Sequence, residues 1–205
     1  MGPASNANRT TGRRGNFQCA VLHRWRRRPS KAFADRGKGR KSMNTTTVRA
    51  KIKKDSPGIF VEADFDYSHF IPEHRKCYPL HGHTSKVIVY LYGKLVELDM
   101  VLDFAEAKKL VKDAISIIDH KLVTGKKYVI QESDDIVTIK YGKFRFELPK
   151  DNVFIIDGEA TSENVAKAIA NYIMTKAPEN IHEVQVQVYE GVNKGAVATI
   201  SRNSI

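Results

Sequence analysis

Alternating apolar and polar positions mark four stretches of this chain. Residues 59–69 and 81–92 alternate on either side of a polar loop, and the same pattern returns over residues 183–189 and 196–201. Successive side chains of a strand point to opposite faces, so a period of two predicts a strand with one buried face. The pattern therefore predicts two pairs of strands, one pair in each half of the chain.

Helical spacing replaces alternation between the two pairs. Asp103 is a capping residue with Glu106 three positions later, and Thr161 or Ser162 begins a second helix that Pro178 ends. Apolar residues at intervals of three and four predict one buried face on each helix. These faces consist of Ala107, Leu110, Val111, Ala114, Ile117 and Ile118 in the first helix, and of Val165, Ile169, Tyr172 and Ile173 in the second.

A hairpin is predicted between the helices, at about residues 136–148. Two alternating stretches, residues 136–140 and 143–148, flank Tyr141 and Gly142. The insertion either covers the mouth of a site or extends the outer surface. The remaining order of strand, strand, helix, helix, strand and strand predicts an α+β fold, with an antiparallel sheet and both helices on one face. Such a sheet has open edges, so we expect subunits to join edge to edge into a closed ring of sheet.

Charge divides the chain into two unequal parts. Residues 1–54 hold 16 of the 34 Lys and Arg residues and one of the 23 acids, whereas the rest has 18 basic residues against 22 acids. Binding of nucleic acid is therefore not expected of the folded part. Two cysteines argue against a disulfide framework and favour a reducing, cytoplasmic location. The longest apolar runs fall short of a membrane span, so no membrane partner is expected.

The basic N-terminal part has no sustained apolar period. Residues 1–42 are predicted to be a disordered extension, and a tag, a non-native segment or an organellar transit peptide all fit this composition. Met43 is a second candidate start. We expect one domain over residues 43–205, entered by a short strand at 47–54.

The candidate chemistry lies between the first two strands. Residues 67–83 contain four of the seven histidines and one of the two cysteines. His81 and His83 point to the same face of their strand, and His69, at the end of the preceding strand, can meet them across an antiparallel pair. Three imidazoles suit a zinc ion with an open fourth position, which a catalytic metal needs. Histidines exposed on a strand are the simpler alternative.

The loop between these strands contains Cys77, close to the expected metal. A thiolate beside a dication has a lowered pKa and serves as base or nucleophile. The alternative is a small buried side chain without chemistry. His74 stands between Glu73 and Arg75, so we interpret it as a solvated residue outside the metal site.

Several short motifs occur in a fixed order, and together they resemble the 6-pyruvoyl-tetrahydropterin synthase family, which includes the 6-carboxy-tetrahydropterin synthases. The resemblance covers about residues 59–201. The three residues between Cys77 and His81 are similar to the carboxy-tetrahydropterin synthase branch. The motifs are Ser68-His69, Cys77-Tyr-Pro-Leu-His81-Gly-His83, Leu102-Asp103-Phe104, Asp119-His120-Lys121-Leu122, Thr161-Ser162-Glu163-Asn164 and Tyr189-Glu190.

The resemblance implies a tunnelling fold, in which ββααββ units trimerise into a barrel and two trimers stack into a homohexamer. It implies a zinc-dependent lyase that converts 7,8-dihydroneopterin triphosphate to 6-carboxy-5,6,7,8-tetrahydropterin, a precursor of queuosine and archaeosine. Three alternatives remain open: a 6-pyruvoyl-tetrahydropterin synthase, an aldolase-like enzyme acting on dihydroneopterin, and a protein that only binds pterin or RNA.

The resemblance also implies roles for the site residues. The three histidines, His69, His81 and His83, match the zinc ligands. Cys77 matches the catalytic cysteine. Asp119 and His120 match the residues that activate this cysteine across a subunit boundary. An alternative for Asp119 and His120 is a helix C-terminus, where a histidine complements the helix dipole.

Substrate contacts are implied as well. Glu190 matches the carboxylate that anchors the pterin ring, although a strand-end glutamate in solvent is the simpler alternative. Thr161 and Ser162 match pterin contacts before the second helix. Ala160 stands where the family often has proline. Alanine at this position should loosen the start of the helix but keep the pterin contacts of Thr161 and Ser162. Candidate contacts for the triphosphate are Lys121, Lys126 and Lys127.

Overall fold

The structure, a computed structural model, describes residues 56–202. The predictions for residues 1–42, for a start at Met43 and for a strand at 47–54 lie outside the described residues. Within the described part, no helix is long and apolar enough to cross a membrane.

Two sheets account for the strands of residues 56–202. Six strands form the main sheet and three form a smaller one. The main sheet contains β1 (Gly58–His69), β2 (His81–Gly93), β3 (Lys121–Gly125), β7 (Val153–Ile156), β8 (Ile181–Tyr189) and β9 (Gly195–Ser201), and the smaller sheet contains β4 (Val129–Glu132), β5 (Ile136–Tyr141) and β6 (Phe144–Pro149).

The main sheet is mixed, which corrects the prediction of an antiparallel sheet. Its order is β7-β3-β1-β2-β8-β9, and the last four strands pair antiparallel as expected. However, β3 runs parallel to β1, and β7 runs parallel to β3. The chain enters β3 through His120, whose φ of 59° lies in the left-handed region. Because Leu122–Gly125 are all buried, this short strand shows no alternation that the sequence pattern could reveal.

Both predicted helices are present. α1 (Phe104–Ser116) begins after Asp103, whose carboxylate accepts a hydrogen bond from the amide of Ala105 at 2.7 Å. α2 (Ser162–Lys176) begins after Thr161, so Thr161 and not Ser162 is the capping residue. A side-chain acceptor at this position satisfies an amide that has no partner within the helix.

A single hydrophobic core joins the two helices to β1, β2 and β8. Inward residues of the three strands and of both helices belong to one buried cluster, so the helices lie on the same face of the sheet, as predicted. Truncating a fully buried member such as Ile169 to alanine would cost about 2–5 kcal/mol of stability. The buried residues on the helices include Ala107, Val111, Ala114, Ile115, Val165, Ile169, Ala170 and Ile173.

The inserted hairpin is also present, as β5 and β6, with β4 added on its other side. Its two-residue loop consists of Gly142 and Lys143 rather than Tyr141 and Gly142, because Tyr141 pairs with Phe144. Gly142 has a φ of 51°, which suits a tight hairpin turn. This small sheet packs through a second buried cluster against Phe70, the first residue after β1.

Candidate functional site

Antiparallel pairing of β1 with β2 brings three imidazoles together. His69 lies directly opposite His81, and Tyr67 lies opposite His83. The Nε2 atom of His69 lies 3.1 Å from Nε2 of His81 and 3.2 Å from Nε2 of His83. The predicted meeting of the three histidines is therefore confirmed in geometry.

Backbone carbonyls orient two of these rings. Nδ1 of His69 donates to the carbonyl of Ala160 at 2.5 Å, and Nδ1 of His81 donates to the carbonyl of Pro79 at 2.8 Å. A proton on Nδ1 leaves Nε2 with a lone pair, so these Nε2 atoms are directed at one another as acceptors. Such an arrangement is repulsive unless a cation lies between the nitrogens.

The spacing fits a zinc ion. Zn–N bonds of about 2.0–2.1 Å in tetrahedral geometry place two ligand nitrogens roughly 3.3 Å apart, close to the separations found here. Burial lowers the pKa of His69, against the opposing effect of its bond to Ala160, and burial also lowers the pKa of His83. Neutral imidazoles are the form that binds a metal. His69, His81 and His83 could therefore hold one ion and leave a fourth position open.

A tyrosine and a glutamate lie beside this group. The hydroxyl of Tyr67 donates to Oε1 of Glu190 at 3.0 Å, and the Tyr67 ring lies 5.4 Å from the ring of His69. Burial, and then the charge of Glu190, raises the pKa of Tyr67 far above its ordinary value, so the hydroxyl remains a donor. Glu190 is thus a half-buried, oriented carboxylate, not a solvated strand end.

The role of Tyr67 was missed in the sequence because it fits the pattern of a core strand residue. Its position two residues before His69, on the same face of β1, was the available signal. The carbonyl groups of Ala160 and Pro79 were missed as well, because a backbone contact leaves no signature in the residue type.

Cys77 lies in the loop between β1 and β2, half-buried and with a free thiol. The loop closes on itself, since the Ile71 amide donates to the Cys77 carbonyl at 2.7 Å and the Cys77 amide donates to the His74 carbonyl at 3.0 Å. Cys77 therefore lies in the closed loop that joins His69, at the end of β1, to His81, at the start of β2.

Asp119 and His120 lie together, but on the other face of the sheet. Oδ1 of Asp119 contacts Nδ1 of His120 at 2.9 Å and accepts from the Asp66 amide at 3.0 Å. The Asp66 carboxylate lies within 4.8 Å of both groups and accepts from Thr84 at 2.6 Å. Because Asp66 alternates with Tyr67 along β1, its carboxylate lies on the face of the strand opposite to Tyr67 and His69, in a surface cleft that His83 and His120 also line.

The segment before α2 is occupied by structural contacts. The Thr161 hydroxyl accepts from the Asn164 amide at 3.4 Å, and the Thr161 amide donates to the Glu159 carbonyl at 2.8 Å. Ala160 is fully buried and its carbonyl holds His69. Ser162 is half-buried at the start of the helix. The helix cap therefore forms with alanine at position 160, and the pterin contacts of Thr161 and Ser162 stay predictions.

The three candidate lysines differ in their surroundings. Lys127 forms an ion pair with Glu159 and lies 5.0 Å from the ring centre of Tyr128, and side-chain hydrogen bonds to both partners raise its pKa. Lys126 is exposed, whereas Lys121 is half-buried in a surface cleft that His120 also lines. Lys121 is thus the candidate nearest to a predicted catalytic residue.

The fold and site define an α+β protein with three histidines that could bind a metal ion, beside an oriented carboxylate. The family model described as 6-pyruvoyl tetrahydropterin synthase matches residues 58–202. The chain therefore belongs to the 6-pyruvoyl tetrahydropterin synthase family, which confirms the resemblance found in the sequence, and it is an enzyme of that family.

Similar proteins come from archaea, bacteria and protozoa. A Pyrococcus horikoshii protein provisionally named 6-carboxy-5,6,7,8-tetrahydropterin synthase is 34% identical over 158 residues, which cover 76% of this chain and 96% of that protein. The 6-carboxy-5,6,7,8-tetrahydropterin synthase of Haemophilus influenzae is 28% identical over 64% of this chain and 91% of its own. A Plasmodium vivax 6-pyruvoyltetrahydropterin synthase shares the fold with a TM-score of 0.61 at 22% identity, over 71% of this chain and 98% of that one.

Proposed function

We propose that this protein is a zinc-dependent lyase that converts 7,8-dihydroneopterin triphosphate to 6-carboxy-5,6,7,8-tetrahydropterin, with loss of triphosphate and cleavage of the side chain. The observation that carries the proposal is the convergence of three Nε2 atoms, two of them in rings fixed by backbone carbonyls. The names of the relatives support the same product. The product would supply the synthesis of queuosine or archaeosine in tRNA.

In this proposal His69, His81 and His83 bind the zinc ion. When bound, zinc acts as a Lewis acid that stabilises negative charge on a side-chain oxygen of the substrate. Cys77, as a thiolate, removes a proton from the carbon next to that oxygen. In this proposal the three histidines hold the group that stabilises charge, and Cys77 transfers the proton.

Glu190 orients the substrate. Its carboxylate can accept two N–H donors from the aminopyrimidine edge of a pterin, and the Tyr67 hydroxyl, 3.0 Å from Oε1, keeps the carboxylate facing the histidines. Thr161 and Ser162 contribute backbone and side-chain contacts at the start of α2. Lys121 is the preferred candidate for the triphosphate, because it lies in the cleft beside His120.

Asp119 and His120 serve the thiol of a neighbouring chain. Within one chain they group with Asp66, on the face of β1 opposite to Tyr67 and His69, and in this proposal a second subunit brings them to a Cys77 thiol. The edge strands β7 and β9 are available for pairing between subunits. We propose that the chain assembles by these edges into a barrel-forming trimer, with two trimers in the hexamer.

Product identification tests the proposal. The zinc-loaded protein is incubated with 7,8-dihydroneopterin triphosphate, and the products are separated and identified by mass spectrometry. We expect 6-carboxy-5,6,7,8-tetrahydropterin. A pyruvoyl or a hydroxymethyl pterin would replace the proposed reaction by one of its two enzymatic alternatives, and unchanged substrate would contradict the assignment of this substrate.

A further inference from the structure

The small sheet of β4, β5 and β6 contacts the loop that contains Cys77. This loop leaves β1 at Phe70 and reaches β2 at His81, and its residues 73–76 are all exposed. Phe70, fully buried, stacks on Tyr141 of β5 with ring centres 3.8 Å apart. The beginning of the loop is therefore fixed by the inserted sheet.

The end of the loop is held by the same sheet. The Tyr78 ring lies 5.7 Å from that of Tyr141 and 5.8 Å from that of Phe144, edge to face in both pairs. A Cβ atom added to Gly142 would lie 2.5 Å from the Tyr78 hydroxyl. The hairpin turn thus closes directly over the residue that follows Cys77.

Tyr141 contacts the loop through its aromatic ring rather than through a hydrogen bond of its hydroxyl. The hydroxyl is buried and finds no partner with hydrogen-bond geometry among residues 56–202, although it lies near the Leu80 backbone. The contact of Tyr141 with Phe70 and Tyr78 is therefore a contact of its ring. A phenylalanine at position 141 should preserve it, and a leucine should not.

We propose that the inserted sheet positions the Cys77 thiol, with Tyr141 and Gly142 acting as positioning residues through Tyr78. The inference rests on the proposed function, in which Cys77 is the reactive group. The insertion is then part of the active-site framework rather than an extension of the outer surface. Placement of a reacting group strongly affects rate, so loosening this contact should slow the reaction more than it weakens substrate binding.

The first test compares Tyr141→Leu with Tyr141→Phe in the full chain. Cys77 is alkylated with iodoacetamide, and its peptide is followed by mass spectrometry apart from the peptide of Cys19. We expect Tyr141→Leu to raise the alkylation rate about threefold or more, because a loosened loop exposes the thiol, and Tyr141→Phe to leave it unchanged. Ile169→Val, in the main core, controls for general loss of stability.

Kinetics give a second readout in the same variants. Tyr141→Leu should lower kcat about tenfold while KM changes less than about twofold, because the substrate contacts of Glu190 are untouched. An alkylation rate in Tyr141→Leu equal to that of the wild type, or to that of Ile169→Val, would overturn the inference. The alkylation result needs no substrate, so it remains informative if the proposed reaction fails.

Gly142→Ala tests the same contact without removing a core side chain. The new methyl group must displace the Tyr78 hydroxyl, which should raise the alkylation rate of Cys77 about twofold or more. Tyr78→Phe removes the displaced atom and leaves the next ring atom 3.6 Å away, an ordinary contact. The double variant should therefore return to the rate of Tyr78→Phe alone. A rate that stays raised in the double variant would show that backbone strain at φ 51°, not the contact with Tyr78, had caused the change.

Discussion

The two faces of β1 hold chemically similar groups in opposite situations. On the inner face, the side chain of His69 is only 1% exposed, and its ring is fixed by Ala160 on one side and faces two histidines on the other. On the outer face, the side chain of His120 is 76% exposed and contacts the neighbouring Asp119. The inner group, His69, His81 and His83, is partly to fully buried, whereas the outer group, Asp66, Asp119 and His120, includes an exposed histidine.

Loss of the inner group should have the largest effect. In His81→Ala we expect zinc content to fall from about one ion per chain towards zero, and turnover to fall about 10⁴-fold, because the metal supplies several kcal/mol of charge stabilisation. Metal analysis and product formation measure the two effects. His74→Ala, in the loop that precedes His81, is the control and should keep its zinc. Full zinc occupancy in His81→Ala would remove this residue from the metal site.

Cys77→Ala separates metal binding from proton transfer. We expect zinc content and oligomeric state to match the wild type, while turnover falls roughly 10³-fold because the base is missing. Metal analysis, light scattering and product formation are measured on one preparation. Turnover like that of the wild type would exclude the thiolate from the mechanism.

Mixing two inactive variants tests whether the outer group serves a second chain. Cys77→Ala and His120→Ala are unfolded, mixed in equal amounts and refolded together. If each site combines Cys77 of one chain with His120 of another, random assembly gives about a quarter of the wild-type activity, a rise of roughly 250-fold over the Cys77→Ala parent. Each variant refolded alone is the control. Activity no greater than the mean of the two parents would place both residues in the same chain's site or make one of them dispensable.

Tyr67→Phe, which removes the hydrogen bond that orients Glu190, should have the smallest effect on activity. Loss of one hydrogen bond to a carboxylate should reduce kcat/KM about tenfold, corresponding to about 1.4 kcal/mol, without loss of zinc. Tyr90→Phe, also on these paired strands but outside the site, is the matched control. Equal kinetics for the two variants would show that the Tyr67 hydroxyl has no part in substrate orientation.

The sequence predicted the inner group well because a period of two determines which strand residues share a face. This rule alone placed the side chains of His81 and His83 on one face of their strand. Their contact with His69 required only that the neighbouring strand be antiparallel. The start of α2 was predicted at Thr161 or Ser162, because a hydroxyl accepts a hydrogen bond at a helix start, and the structure selects Thr161.

Other features depend on contacts that no local pattern contains. β3 and β7 have five and four residues, too few for periodicity to distinguish them from loops. The contact between Tyr78 and the Gly142 turn joins residues more than sixty positions apart, and it arises only once the small sheet has packed. The position of Asp119 and His120 on the outer face required the parallel strand β3, which the sequence did not reveal.

X-ray absorption at the zinc edge tests the central claim most directly. The zinc-loaded protein should show three nitrogen ligands at about 2.0–2.1 Å and one further light atom, with no sulfur in the coordination sphere. This result would place the ion on His69, His81 and His83 and leave the Cys77 thiol free to react. A sulfur ligand at about 2.3 Å, or fewer than three nitrogens, would contradict the account.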